Sequence, residues 1–365
     1  MYPFFRSLLF RLDPETAHQL TLQLMRVGGI EPIYSILRAM YSAPSKPVNA
    51  FGLTFKNPVG LAAGYDKDAV AIRGLSALGF GHLEVGTVTL KPQPGNPRPR
   101  VFRLLEDQAI INRMGFPGKG ADFVARSLRG VAHLAPRRGN LRTREGIASP
   151  GLDTAKTAPT RPAARNDIII GINLGKNQDT PLEEAANDYL ALMHQFMFLV
   201  DYLTLNISSP NTIGLRRLQG REMLENLLGQ INADRTAWNL KCPILVKLAP
   251  DLSNEELDDA IGVILDKDMD GILATNTTLR RERLRSKYQR ELGGLSGRPL
   301  RSRSEAILRQ VMKRVNGKVP IVSVGGIMNP DDAKRRLDLG ATLIQIYTGL
   351  IYHGPGLVKK TLVEQ

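Results

Sequence analysis

The densest chemistry in the sequence lies in one stretch, YLTLNISSPNT, from Tyr202 to Thr212. Leu203, Leu205 and Ile207 alternate as the apolar face of a short buried strand does. The chain then breaks into Asn206, Ser208, Ser209, Asn211 and Thr212 around Pro210, which cannot donate to a sheet ladder and so ends the strand. Amides and hydroxyls at the end of a buried strand can hold a polar ligand. An Asx- or Ser-rich turn is the plainer reading, and recurrence along the chain decides between them. Other apolar runs end in the same way, at Lys67, Thr87, Asn173, Lys247, Thr275, Asn276, Gly326, Tyr347 and Thr348. Amides dominate, with two lysines and Asp66 as the nearby carboxylate. That composition suits a planar, anionic, amide-rich ligand and not a divalent cation, which wants several carboxylates. No metal site is expected. Lys247, inside ILVKLAP, is the sharpest of these: a lysine in a buried strand end pairs with an anion or loses its proton, unless it snorkels to water.

The elements that must position these residues repeat with one grammar: apolar strand, polar or glycine-rich terminus, amphipathic helix. The predicted strands are PVGLAAG (58–64), HLEVGTVT (82–89), IIIGINLG (168–175), YLTLNISS (202–209), ILVKLAP (244–250), GILATNTT (271–278), IVSVGG (321–326) and LIQIYTG (343–349). Helical patterns such as NEELDDAIGVILD and PDDAKRRLDLG separate most of them. Eight such units in roughly 300 residues predict an α/β fold, a (β/α)8 TIM barrel, whose strand ends gather on one face. Gly325-Gly326 and Tyr347-Thr348 then fall after strands seven and eight, where barrels bind phosphate. An open doubly wound sheet is the alternative, but no GxGxxG follows the first strand.

Ahead of the barrel, residues 1 to 45 form a separate helical unit. Phe4, Phe5, Leu8, Leu9 and Leu12 share a helical face. Asp13-Pro14 starts a second helix as N-cap and first-turn proline, and it carries His18, Leu22 and Met25 to Gly28-Gly29. A helical cap on the barrel and an interfacial membrane anchor are the two readings. Within 46–365, residues 136–166 break the rhythm. From Arg137 to Arg165 there are seven basic and two acidic residues, a net +5 of the chain's formal +14. This segment is expected to be a disordered basic insertion, which weakens the case for a nucleic-acid groove in the fold itself. The 365 residues and 42% hydrophobic content suit a large globular core. The single cysteine, Cys242, opens an apolar run and is expected to be buried. No apolar run approaches the roughly 20 residues of a membrane span, and the N-terminus has no signal or transit pattern. A bacterial protein on the cytoplasmic side of the cell membrane is expected.

The blocks MYPFFRSLLFRLDPETAH, NPVGLAAGYDKD, EVGTVTLKPQPGNPRPRVFRL, INRMGF, GINLGKN, LNISSPNT, VKLAPDLS, ATNTT, GGLSGRP, VGGI and QIYTG closely resemble dihydroorotate dehydrogenases of the quinone-dependent, membrane-associated class. The resemblance covers nearly all of the chain except 136–166. It implies oxidation of dihydroorotate to orotate in pyrimidine synthesis, with one FMN per chain and a membrane quinone as co-substrate. The implied FMN contacts are Ala63, Gly64, Tyr65, Asp66, Lys67, Thr87, Asn173, Asn206, Lys247 and Thr275, with the phosphate on Gly297, Gly326, Tyr347 and Thr348. Lys247 beside a reduced flavin would favour its negative charge. The implied pyrimidine contacts are Lys67, Asn112, Arg113, Met114, Gly115, Phe116, Asn206, Asn211, Asn276 and Thr277. Ser209 stands at the base position, where the soluble classes have cysteine, with a proton relay near Thr212 and Phe116.

The resemblance also makes the N-terminal unit a two-helix, peripheral membrane-associating extension that forms a quinone tunnel lined at its inner end by His18, Arg103 and Tyr347. Removing residues 1–43 is then expected to spare flavin reduction and weaken quinone turnover. A monomer that binds no nucleic acid is expected. Pro117 and Tyr65 depart from the usual Asn and Leu or Phe of the family. Two other readings fit parts of the pattern. Another FMN barrel, such as a tRNA-dihydrouridine synthase, would suit the positive charge but usually relies on a strand-end cysteine. A non-catalytic nucleic-acid or lipid binder would work through the arginine-rich insertion.

Overall fold

The computed structural model describes residues 2–133 and 168–364. The expected insertion at 136–166 lies outside the described residues. All eight predicted strands form and close into a parallel barrel in chain order: Val59–Leu61, His82–Val88, Ile169–Leu174, Tyr202–Asn206, Ile244–Leu248, Gly271–Ala274, Ile321–Val324 and Leu343–Ile346. They are shorter than the predicted segments because each polar tail has left the ladder and become a loop at the barrel mouth.

Strand periodicity sorts the side chains. Leu83, Val85, Ile170, Ile172, Leu203, Leu205, Ile244 and Val246 point outward into the core shared with the helices. The alternate positions point into the barrel, where Tyr202, Leu245, Leu273, Val322 and Leu343 pack with Phe55. Phe55 belongs to a hairpin, Val48–Ala50 with Leu53–Phe55, that plugs the barrel floor. The same inward parity carries Glu84, Asn173, Asn206, Lys247 and Gln345. Register completes the placement: Asn206 lies beside Lys247, and Gly86, next to Thr87, lies beside Asn173.

The helices form where their caps say they should. Ser253 and Glu256 make a reciprocal capping box at the helix Asn254–Asp266, and Asn329 caps Pro330–Asp338. A three-stranded antiparallel sheet, Val101–Leu104, Ala109–Asn112 and Gly294–Gly297, stands beside the barrel.

The N-terminal unit has three helices, not two: α1 (Tyr2–Leu9), α2 (Pro14–Gly28) and α3 (Ile33–Tyr41). Ile33, Ile36, Leu37 and Met40 have helical spacing, enough for two and a half turns. Asp13 caps α2 as expected, its Oδ1 accepting from the amides of Glu15 (2.9 Å) and Thr16 (3.1 Å). α2 lies hard against the short helix Ile72–Ser76. A Cβ on Gly74 would stand 1.8 Å from the Met25 carbonyl, so only glycine admits this approach. Leu22 and Met25 pack on the core, whereas Leu20, Leu24 and Val27 on the same helix stay exposed with Phe4, Phe5, Leu8, Ile30, Ile36 and Met40.

Candidate active site

One cavity of about 680 Å³ opens at the C-terminal ends of the barrel strands and runs out between α1 and α2. Its inner wall is a hydrogen-bonded set of side chains from adjacent strands. Glu84, 1% exposed, is the floor of this set. Its Oε1 accepts from Asn173 Nδ2 at 2.8 Å, and its Oε2 from Gln345 (2.8 Å), Tyr202 (3.3 Å) and Thr204 (3.3 Å). Asn173 Oδ1 in turn accepts from Thr87 Oγ1 (2.5 Å) and Asn206 Nδ2 (2.9 Å). Asn206 Oδ1 accepts from Asn276 Nδ2 at 3.1 Å, and Asn276 Oδ1 accepts from the Thr277 amide. Lys247 is buried among these groups with no hydrogen-bond acceptor for its ammonium among the described residues. Burial pulls its pKa down, and the Glu84 charge pulls it back up.

The loop after the fourth strand holds Ser209, 4% exposed, whose Oγ accepts from the Asn211 amide at 3.2 Å. Asn211 Nδ2 donates to Asn112 Oδ1 at 3.1 Å, which joins this loop to the NRMGF segment, and its own Oδ1 is buried without a donor. Lys67 completes this side. Its ammonium donates to the Gly64 carbonyl at 2.8 Å, and burial brings its pKa down to about 8 against the opposing pull of Asp68 and Glu15.

At the far end of the strands, Gly326 has φ +74° and its missing Cβ would sit 2.5 Å from the Arg301 backbone, so a bare main chain lines the wall there. Gly297 and Thr348 stand alongside, with Thr348 Oγ1 donating to Ser296 Oγ at 2.9 Å. Beneath them lies Arg336, fully buried, whose Nη2 donates to the carbonyls of Arg301 and Gly325 and to Ser304 Oγ.

Toward the N-terminal helices the wall becomes aromatic. His18, Tyr65 and Tyr347 stack edge to face, with centroids 5.1 Å and 6.1 Å apart. Burial, then the Lys67 charge, holds His18 neutral with a pKa near 3. The Tyr65 hydroxyl, which a Leu or Phe would lack, donates to Thr21 Oγ1 on α2 at 3.2 Å. Arg103 sits under the turn between α1 and α2, donating to the carbonyls of Leu9 and Leu12 with its guanidinium over the Phe10 ring.

Most expected site residues line this cavity, but Asp66, Arg113, Asn173 and Thr212 do not. Asp66 ties off its own turn by accepting from the amides of Val70 and Ala71. Arg113 points away, paired with Glu291 at 2.8 Å and stacked over Phe102. Asn173 stands behind Thr87 and Asn206 as their support. Thr212 is buried just off the wall with its hydroxyl unpaired. Glu84, Gln345, Arg100 and Arg336 went unnoticed in the sequence. Inward strand parity would have found the first two.

The cavity suits a planar, anionic ligand. It has the volume of a cofactor site, an unpaired buried ammonium, an orphaned amide oxygen, and a bare glycine wall at the end where barrels hold phosphate. Fold and site thus define a TIM-barrel enzyme built around an anionic, amide-rich ligand, in a cavity that also has an apolar side on α1 and α2.

The comparisons narrow the class. The family model described as dihydroorotate dehydrogenase matches residues 46–364. A Cronobacter sakazakii protein named dihydroorotate dehydrogenase (quinone) is 44% identical, covering 100% of this chain and 99% of its own. The Escherichia coli protein of the same name is 43% identical over the same shares. Among solved structures, DHODH from Eimeria tenella in complex with ferulenol superposes with a TM-score of 0.81 at 36% identity, covering 96% of this chain and 90% of that one. The chain belongs to the dihydroorotate dehydrogenase family.

Proposed function

We propose that this chain oxidises dihydroorotate to orotate, the redox step of pyrimidine biosynthesis, and passes the electrons to a membrane quinone. The observation that carries the reading is the single cavity that joins the Ser209 loop and the strand-end amides to the N-terminal helices. Two chemically unlike ligands can thereby meet at one centre, a polar one among the strand-end amides and an apolar one along α1 and α2.

FMN, when bound, supplies the acceptor for hydride from C6 of dihydroorotate and the donor for quinone. Ala63, Gly64, Thr87, Asn206, Lys247 and Thr275 would hold its ring, with Asn173 supporting from behind. Gly297, Gly326, Tyr347 and Thr348 would hold its phosphate. Lys247 places a positive charge where no protein anion is within hydrogen-bond reach, so it favours the ring's reduced, more negative form. Asn112, Asn211, Asn276 and Thr277 offer both donors and acceptors to the pyrimidine amides, and Lys67 meets its carboxylate as a point charge.

Ser209 is the base that takes the proton from C5. A serine is a weak base alone, and the buried, unpaired Thr212 hydroxyl supports a relay that moves its proton on. Phe116, on the cavity wall, is the second residue assigned to that relay.

Residues 1–45 act as the quinone entrance and residues 46–365 as the catalytic barrel. No helix among the described residues is long and apolar enough to cross a membrane. The exposed apolar residues of α1, α2 and α3 instead form a face of the kind that lies in a bilayer surface. The chain works as a monomer held peripherally on the cytoplasmic side of a bacterial membrane.

An anaerobic visible spectrum tests the reading. The purified protein should be yellow, bleach with dihydroorotate, and recover colour with a soluble quinone but not with NAD or fumarate. A flavin spectrum indifferent to dihydroorotate would overturn the substrate assignment.

A further inference from the structure

We infer that Glu15, on the quinone-side helix α2, is a positioning residue for the dihydroorotate pocket, acting through Arg100. The inference rests on the reading above for which end of the cavity takes dihydroorotate.

Both side chains are nearly excluded from water, Glu15 at 9% and Arg100 at 7% exposure. Arg100 Nε donates to Glu15 Oε1 (3.1 Å) and Oε2 (3.2 Å), and Nη2 donates to Oε1 at 3.0 Å. Its remaining arm, Nη1, donates to the carbonyls of Pro94 (2.7 Å) and Asn96 (2.8 Å). One planar guanidinium therefore bridges a helix of the N-terminal unit to a loop of the barrel mouth.

Asn96 carries the connection onward. Its Nδ2 donates to the carbonyls of Arg113 (2.9 Å) and Asn211 (3.1 Å), and its amide donates to the Met114 carbonyl at 2.9 Å. Gln93 Nε2 fastens the Gly115 and Phe116 carbonyls. Beyond the Glu15–Arg100 pair every link ends on main chain, so the network fixes where the backbone of the pocket sits. Its far end is two residues from Ser209.

A first-turn glutamate is ordinarily a solvated partner for the helix dipole. This one is buried against Arg100, with the exposed Arg98 Nε 3.3 Å from its Oε2, an arrangement that costs desolvation and is weak evidence for stability alone. One turn further along α2, His18 meets Tyr65, and Thr21 accepts from it. A single short helix thus touches both ends of the cavity. Deleting residues 1–43 removes Glu15 along with the tunnel, so the truncated protein should lose substrate affinity as well as quinone turnover.

The test compares Glu15→Gln and Glu15→Asp with the parent in two ways. Anaerobic bleaching gives the half-saturating dihydroorotate and the limiting rate, and steady-state turnover gives the quinone KM. Hydrogen exchange on the ligand-free proteins reports the backbone at 93–97 and 112–116. Glu15→Gln should raise the half-saturating dihydroorotate about tenfold, leave the limiting rate and the quinone KM within about twofold, and speed exchange in both segments. Glu15→Asp should recover much of the affinity. Unchanged half-saturation with unchanged exchange overturns the inference, as does a change confined to the quinone KM. If Glu15→Gln does not fold, orotate added to the parent should slow exchange in residues 14–19, and no slowing overturns it. If the parent does not respond to dihydroorotate at all, the pocket assignment fails separately, and exchange in the ligand-free variant still decides the coupling.

Discussion

Asn173 donates its amide N–H to Glu84 at 2.8 Å, and that bond decides which way three asparagines face. A carboxylate only accepts, so Nδ2 must turn down to it and Oδ1 up to Thr87 and Asn206. Asn206 then spends its donor on Asn173 and offers its oxygen to Asn276. Glu84→Gln breaks the logic, because a glutamine can donate where Glu84 only accepts, and it removes the charge that favours a protonated Lys247. The variant should fold yet hold FMN about ten- to a hundredfold more weakly. Flavin fluorescence released on dilution measures this, and parent-like retention would refute the orienting role.

The eight strands were legible because parallel strands covered on both faces read as apolar runs, and each run ended in polar residues. The polar termini of Asn206, Lys247 and Thr275 were therefore visible before any fold was. Glu84 obeys the same parity, but it lies mid-strand in HLEVGTVT and not at a polar terminus, so nothing local marks it. Arg336 and Glu15 lie on amphipathic helices, where a charged residue ordinarily signals a solvated face. Only packing reveals that Arg336 is fully buried and Glu15 nearly so. The antiparallel sheet was hidden because Gly294 pairs with Asn112, far along the chain. Tyr65 stood out as a departure from its family, and its partner Thr21 explains it.

Ser209→Ala should keep FMN bound and slow bleaching by dihydroorotate about 10²- to 10⁴-fold, the usual worth of a positioned base. The Asn211 amide that Ser209 accepts belongs to a residue already held by Asn96 and Asn112, so the loop should keep its shape. Stopped-flow absorbance at the flavin band is the measurement. A cysteine at 209 should regain part of the rate as pH rises toward its thiol pKa, near about 8.5. Parent-like bleaching in the alanine variant would remove Ser209 from the mechanism.

Lys67 predicts how substrate affinity changes with pH. Burial lowers its pKa to about 8, and a bound carboxylate selects the protonated form. Affinity should therefore be flat below pH 8 and fall above it, by up to about tenfold per unit. Lys67→Met should bind more weakly at pH 7 and lose the alkaline limb. A limb that persists in this variant would belong to another group.

Phe4 and Ile36 separate membrane binding from quinone entry. Both are more than half exposed and neither lines the cavity. Burying a side chain of this size in lipid contributes about 1.5–3 kcal/mol, and a glutamate in its place adds a charge to desolvate. The pair Phe4→Glu and Ile36→Glu should leave vesicles in a flotation assay while dihydroorotate still bleaches the flavin at the parent rate. Unchanged flotation would place the lipid contact on another surface.

Arg336 tests the phosphate end of the cavity. Its guanidinium is fully buried and has its pKa drawn down by burial to about 10, so it stays charged at neutral pH. Nη2 gathers the Arg301 carbonyl, the Gly325 carbonyl and Ser304 Oγ at 2.9, 3.0 and 2.7 Å. Those groups set the path of the chain at Gly326, whose missing Cβ leaves room for nothing larger. Arg336 thus shapes the glycine wall from behind and lends it a positive field without touching a ligand. Lysine keeps the charge but cannot present a planar fork to three acceptors. Arg336→Lys should keep the barrel folded and weaken FMN more than it weakens riboflavin, which has the same ring and no phosphate. Equal losses for the two ligands would show that the arginine supports only the barrel.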